Sequence, residues 1–161
     1  IMDYLISERP VAVSATGIGH FEKGLENIAY ITVYFDGKLI AHFNVNWLSP
    51  VKVRTILIGG AKRMVVWDDI EADEKLKVYD RGVEFDDKEG MYKALIEYRT
   101  GDMWSPKLDR REALSAEAEY FVDCVLNDKT PVNDGRSGYR VVKMIEAANQ
   151  SLKNKGRPVE L

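Results

Sequence analysis

Two segments in which apolar and polar residues alternate, 27–35 and 39–47, limit what this chain can fold into more than any other feature. Side chains alternate between the two faces of a β-strand, so each segment has one apolar face. The two apolar faces coincide only if an odd number of residues connects the strands, because a one-residue shift turns a strand over. We therefore predict a hairpin with a three-residue turn, in which Gly37 has a positive φ and forms a bulge.

The opposite face of this hairpin is neither fully polar nor fully apolar. It carries Tyr30, Thr32, Tyr34, Ile40, His42, Asn44 and Asn46. Such a mixture is too apolar for a face in water and too polar for the interior of a monomer, whereas tyrosine-rich surfaces with paired polar groups are typical of protein–protein interfaces. We predict that these seven residues form the interface of a homo-oligomer.

The remaining segments add strands and then change to helical spacing. Alternation predicts strands at 11–15, 53–58, 63–67, 76–79 and 91–99. Two helices follow. One helical stripe of the first carries Leu114, Ala118, Phe121, Val122 and Val125, and the predicted buried stripe of the second is Val141, Val142, Ile145, Ala148 and Leu152. Asp134 is the predicted N-cap of the last helix and Gly156 its stop. This order predicts a single domain, 1–161, of the α+β class: a large, mostly antiparallel, open-faced sheet with helices packed on one face.

Charge and cysteine content exclude several classes of function. The net charge is −3 and acidic and basic residues are interleaved, so the sequence does not predict the basic surface that nucleic-acid binding requires. Cys124 is the single cysteine, which excludes an internal disulfide and predicts a buried, inert thiol. No apolar run approaches the roughly 20 residues that cross a membrane. We expect a cytoplasmic protein that binds neither nucleic acid nor membrane.

The chain lacks the motifs that would give it redox or hydrolytic chemistry of its own. It contains no GxGxxG, Walker A, HExxH, GxSxG or CxxC, so we predict no cofactor-binding and no catalytic residue in it. Two histidines cannot build a multi-histidine metal site. The acidic pairs at 68–69 and 86–87 are more typical of solvated turns than of a calcium site, so no metal is expected.

Four residues are candidates for substrate binding. His20 lies in a glycine-flanked loop, and Trp47 ends a strand. Lys52 and Arg54 follow, two positions apart, which places both cations on one side of the next strand. Cations and an aromatic ring near a strand end are suited to a phosphorylated or nucleotide-linked sugar. The alternative stays open that His20 is an ordinary loop residue, that Trp47 belongs to the core, and that both cations pair with carboxylates at an interface.

Several segments, taken in order, resemble one enzyme family. They are 2–10, 46–54, 59–69 and 112–161, and together they are similar to the C-terminal domain of the Gfo/Idh/MocA NAD(P)-dependent oxidoreductases. The resemblance implies that an upstream Rossmann domain holds NAD or NADP and the catalytic residues, and that this chain binds no cofactor. It also implies a parent enzyme that acts on CH–OH groups of a sugar, nucleotide sugar or polyol, and an open sheet face that joins subunits.

The start of the chain agrees with an upstream domain. Residues 1–6 have helical spacing before Pro10 but no N-cap, which predicts the end of a helix that begins further upstream. Two functions are therefore expected. The chain is either the substrate-binding and oligomerisation domain of such an enzyme, inactive by itself, or a free-standing sugar- or protein-binding dimerisation module without turnover.

Overall fold

A computed structural model of the protein describes residues 1–21, 24–80, 101–109 and 111–161. Its helices are α1 (Met2–Leu5), α2 (Ala113–Leu126) and α3 (Gly135–Lys153). Its strands are β1 (Pro10–Ile18), β2 (Ile28–Phe35), β3 (Ile40–Asn46), β4 (Thr55–Gly59), β5 (Met64–Asp68), β6 (Leu76–Tyr79), β7 (Met103–Trp104) and β8 (Val159–Glu160). The strand predicted at 91–99 and the acidic pair at 86–87 lie outside the described residues.

The described strands form two antiparallel sheets. The first has the order β3-β2-β1-β8 and the second the order β4-β5-β6-β7. The chain divides into two compact units, one made of Ile1–Ser49 with Ala113–Leu161 and the other of Pro50–Glu112. The predicted α+β class with antiparallel strands is confirmed, although the described strands are divided between two sheets instead of forming one large sheet.

The β2–β3 hairpin has the predicted register. Val33 lies opposite Ala41, with the other core-facing residues paired in the same phase. The backbone N–H of Phe35 donates to the carbonyl of Leu39 across a three-residue turn. The odd turn length inferred from the apolar pattern is therefore confirmed.

The conformation predicted for Gly37 is wrong. Among the described glycines, those with a positive φ are Gly24 and Gly156. A Cβ on Gly37 would meet the flexible carboxylate of Glu8, at 2.5 Å. The turn thus closes without a left-handed conformation at Gly37. The neighbour that limits the space beside this glycine is the end of the flexible Glu8 side chain.

The core of the first unit lies between α3 and one face of the first sheet. Its buried residues are Val13, Ala15, Val33, Phe35, Met144, Ala147 and Ala148. On α3 the contact face follows positions 144, 147, 148 and 151, the spacing of one helical stripe. The predicted stripe is therefore partly wrong, because Val141, Val142 and Ile145 are exposed. The prediction favoured bulky aliphatic residues, whereas this helix meets the sheet mainly through smaller ones.

The stripe predicted for α2 is apolar but not buried. Leu114, Phe121, Val122 and Val125 are each more than half exposed, and Ala118 is exposed too. The predicted stripe lies on this helix, but helical periodicity identifies an apolar face and not what covers it. The buried free thiol predicted at Cys124 is confirmed.

The ends of α3 follow the predicted signals. Asp134 Oδ1 accepts a hydrogen bond from the backbone N–H of Ser137 at 2.9 Å, which confirms the N-cap. The same bond lowers the pKa of the Asp134 carboxyl. Gly156 follows the helix with a φ of 83°, a conformation that suits glycine at a helix stop.

The short helix α1 is held against α3 by an ion pair. Arg140 Nη2 lies 2.8 Å from Asp3 Oδ2, and Arg140 Nε lies 3.1 Å from Asp3 Oδ1. Two parallel hydrogen bonds fix both orientation and distance. Because Arg140 favours the ionised carboxylate through these bonds, the pKa of Asp3 is lowered.

The segment after α3 completes the edge of the first sheet. β8 pairs with β1, placing Val159 opposite Val13. Beyond the start of β8, the Ser151 hydroxyl accepts a hydrogen bond from the backbone N–H of Ala15 at 2.8 Å. A buried side chain thereby satisfies a strand N–H that no neighbouring strand reaches.

Candidate functional site

A tight loop between β1 and β2 positions the first candidate residue. A Cβ on Gly19 would lie 2.5 Å from the carbonyl oxygen of Leu25, so the backbone approaches itself too closely there for any larger residue. The backbone N–H of Asn27 donates to the carbonyl of Ile18 at 3.0 Å and closes the loop. The loop therefore has a fixed base at the end of the first sheet.

Asn27 organises this end of the sheet. It is 1% exposed, and its Oδ1 lies 3.3 Å from the backbone N of His20 and 2.6 Å from His20 Nδ1. The backbone carbonyl of Asn27 accepts a hydrogen bond from the backbone N–H of Trp47 at 3.2 Å. One buried residue thus holds both His20, on the loop, and Trp47, at the end of β3.

An exposed aromatic pair lies beside this buried amide. The rings of Phe21 and Trp47 have centroids 6.4 Å apart, tilted by 47°, and Trp47 is 65% exposed. Its Nε1–H donates to the carbonyl of Glu26 at 3.2 Å, which fixes the indole orientation. The suggestion that Trp47 belongs to the core is wrong, since most of its ring faces solvent.

Lys52 and Arg54 lie in the other compact unit. Arg54 Nη1 is 3.3 Å from Asp69 Oδ2, a carboxylate of the same unit. Lys52 lines a shallow depression with Asp68 and Glu71 among its walls. The four candidates therefore form two pairs, one in each unit.

Sequence reasoning missed Asn27 and Phe21, although a signal for Asn27 was present. Position 27 has the same parity as Ala29, Ile31 and Val33, whose side chains face the core. A polar residue in that phase is unusual, because buried polar groups need partners. Nothing in the sequence identified Phe21, whose place depends on how the loop closes.

The open face of the β2–β3 hairpin is as predicted in its composition and phase. Thr32 lies opposite His42, with Thr32 Oγ1 3.1 Å from His42 Nδ1. The rings of Tyr30 and His42 stack with centroids 6.3 Å apart. Thr32 is half-buried, and the other six residues of this face are exposed.

The described residues carry neither a metal-binding cluster nor a membrane-spanning helix. Within residues 1–21, 24–80, 101–109 and 111–161, no group of three or more His, Cys, Asp or Glu side chains could hold a metal ion. In the same part of the chain, no helix has the length and apolar character needed to cross a membrane.

Comparison with family models identifies the fold. A model described as the oxidoreductase family, C-terminal alpha/beta domain, matches residues 1–161. The chain belongs to this family. The resemblance to the Gfo/Idh/MocA oxidoreductases predicted from four sequence segments is thereby confirmed. Comparison with curated proteins gives no match.

Solved structures of longer proteins contain the same fold as this family domain. Aldose-aldose oxidoreductase from Caulobacter crescentus, complexed with glycerol, has a TM-score of 0.72 at 20% identity, over 98% of this chain and 43% of that chain. UDP-N-acetylglucosamine 3-dehydrogenase GnnA from Acidithiobacillus ferrooxidans has a TM-score of 0.69 at 20% identity, over 92% and 43%. GenD2 from gentamicin A biosynthesis, in complex with NAD, has a TM-score of 0.68 at 20% identity, over 98% and 43%. This chain spans less than half the length of each.

Proposed function

We propose that this chain is the substrate-binding and oligomerisation domain of an NAD(P)-dependent oxidoreductase that acts on a sugar, nucleotide sugar or polyol in the cytoplasm. The family match over the whole chain carries the proposal. Its structural relatives are more than twice as long, and the names of two refer to an aldose and to UDP-N-acetylglucosamine. A Rossmann domain ahead of Ile1 would hold the cofactor.

Chemistry in this proposal is divided between two domains. The chain has no glycine-rich fingerprint, so its own residues do not fit a dinucleotide pyrophosphate, and no step is assigned to them through the cofactor. When bound, the nicotinamide accepts a hydride from a carbinol carbon or, in its reduced form, donates one to the corresponding carbonyl carbon. The candidates in this chain for binding and orienting the substrate are His20, Trp47, Lys52 and Arg54.

The first test of the proposal uses the product of the native gene. Purified protein is mixed with NADH or NADPH and with oxidised sugars and nucleotide sugars, and absorbance of the reduced nicotinamide is followed. Turnover with at least one substrate supports the proposal. The absence of redox motifs in this chain favours the alternative, a free-standing binding module. That alternative would be supported by a native product that lacks a cofactor domain and binds sugar without turnover.

The open face is proposed as the subunit interface. Ile40 is the most apolar exposed residue on it, and Ile145, on the outer side of α3, is similarly exposed. We expect Ile40→Asp to dissociate the oligomer, because it would bury a charge in the interface. Ile145→Asp is the matched control and leaves the oligomer intact. Light scattering coupled to size-exclusion chromatography measures the mass. Equal masses for both variants would contradict this interface.

A further inference from the structure

The orientation of the Asn27 side-chain amide follows from its contacts. The atom that faces His20 lies 3.3 Å from a backbone N–H, which can only donate. That atom must therefore be the carbonyl oxygen, and the amide cannot be flipped.

This orientation determines which nitrogen of His20 carries the proton. The same Asn27 Oδ1 lies 2.6 Å from His20 Nδ1, and an oxygen acceptor at that distance requires a donor on the ring. Nδ1 is therefore protonated. In the neutral imidazole the other nitrogen, Nε2, then has no proton and is a hydrogen-bond acceptor. His20 is exposed, so the acceptor is offered on the surface.

Burial of the side-chain amide nitrogen of Asn27 is unfavourable in itself. Its Nδ2 is buried and has no hydrogen-bond partner among the described residues. A buried polar group without a partner is unfavourable by roughly 1–3 kcal/mol. A position with such a cost is a candidate for a role other than stability.

The neighbouring indole complements this acceptor. Trp47 Nε1–H is already bonded to Glu26, so the exposed part of the ring offers its face and not a donor. The face of an aromatic ring is negative and attracts weakly positive hydrogens, such as those on the carbon atoms of a pyranose. A hydroxyl of the same sugar can donate to an imidazole acceptor.

We propose that Asn27 is a positioning residue that holds His20 in the Nδ1–H form, and that His20 Nε2 and the face of Trp47 together contact a pyranose, the imidazole accepting one sugar hydroxyl. This inference rests on the proposed function, because it names how part of the sugar would be recognised. The inference also distinguishes two sugar substituents. A hydroxyl can donate to His20 Nε2, whereas a methoxy group at the same position has no proton and abolishes this hydrogen bond.

The first experiment reads the tautomer without any ligand. The product of the native gene is labelled with 15N-histidine, and long-range ¹H–¹⁵N spectra are recorded above the pH at which imidazole is protonated. The His20 signals are assigned from their loss in His20→Phe, with His42→Phe as the control. We expect Nδ1 protonated and Nε2 unprotonated, and a mixture of tautomers in Asn27→Ala. An Nε2–H tautomer in the unmodified protein overturns the proposal, even if Asn27→Ala does not fold.

The second experiment measures sugar binding by titration calorimetry. N-acetylglucosamine, UDP-N-acetylglucosamine and methyl β-D-glucopyranoside are first titrated into the unmodified protein, and the sugar that binds most tightly is then used for the variants. Loss of one hydrogen bond corresponds to roughly fivefold weaker binding, which we expect for His20→Phe. His20→Gln keeps a hydrogen-bond acceptor, so we expect it to recover part of the affinity that His20→Phe loses. Trp47→Ala weakens binding at least as much, whereas Tyr139→Ala, an equally exposed aromatic on α3, leaves it unchanged.

The outcomes separate this inference from the proposed function. If the unmodified protein turns over a sugar with NAD(P)H but His20→Phe and Trp47→Ala bind it unchanged, the contact site is wrong and the proposed function stands. If the unmodified protein neither binds nor converts any of the sugars, both are overturned.

Discussion

Replacing Ser151 with alanine tests how the first sheet is closed. Ser151 is fully buried. Its hydroxyl accepts a hydrogen bond from the backbone N–H of Ala15 at 2.8 Å and donates one to the backbone carbonyl of Arg157 at 2.7 Å. Ser151→Ala removes one oxygen and changes little else, so its effect on the free energy of unfolding reports these two bonds.

The magnitude follows from what each partner loses. Ala15 is 1% exposed, so water cannot replace the lost acceptor, and an unsatisfied buried N–H costs roughly 1–3 kcal/mol. The Arg157 carbonyl belongs to an exposed residue and can bond water, so its loss adds about 0.5–1 kcal/mol. We expect Ser151→Ala to lower the free energy of unfolding by roughly 1.5–4 kcal/mol.

Urea unfolding followed by circular dichroism measures this change, and amide hydrogen exchange locates it. Ser14→Ala is the matched control, because the Ser14 hydroxyl donates from a half-buried position to one carbonyl, that of Gly156, at 2.9 Å. We expect it to cost about 1 kcal/mol. The reasoning is refuted if Ser151→Ala costs no more than Ser14→Ala, or if exchange of the Ala15 amide is unchanged.

Two further perturbations have equally definite outcomes. Gly156→Ala and Gly24→Ala both force a positive φ on alanine, which costs about 1 kcal/mol, but only at Gly156 does a Cβ meet a neighbour, Thr16 Cγ2 at 2.7 Å. Urea unfolding should therefore show the larger loss for Gly156→Ala, and equal losses would contradict the contact. For Asp3, the pKa is lower in the folded than in the unfolded protein, mainly through its bond to Arg140. Its stabilisation is thus present above the unfolded value, near 3.8, and lost as pH falls through the folded value. The difference in unfolding free energy between the unmodified protein and Asp3→Asn should be constant from neutral pH to about pH 5 and vanish in acid, and a difference independent of pH throughout would refute the assignment.

Local rules predicted the parts of the fold that depend on neighbours in sequence. The β2–β3 register follows from parity alone, and the N-cap at Asp134 follows from one side chain and a nearby N–H. The contact face of α3 could not be predicted in the same way. Helical spacing admits more than one stripe, and closeness to the sheet selected Ala147 and Ser151 over the larger Val142 and Ile145.

The candidate site was predicted only in part, for a similar reason. His20 and Trp47 were identified by residue type and by their places near glycines and a strand end, and the structure brings them together around Asn27. Lys52 and Arg54 follow Trp47 closely in sequence but lie beyond the boundary between the two compact units. Sequence distance does not show such a boundary, because it depends on which strands pair with which.

The pairing of β1 with β8 has a consequence for the order in which the protein assembles. The bond between Ala15 and Ser151 joins residues 136 positions apart, and the whole unit Pro50–Glu112 lies between them in the sequence. During synthesis that inserted unit leaves the ribosome while β1 still has an open edge, and open strand edges promote aggregation. We expect ribosome-bound chains ending at residue 150 to leave β1 amides unprotected on this edge, and chains extended past β8 to protect them.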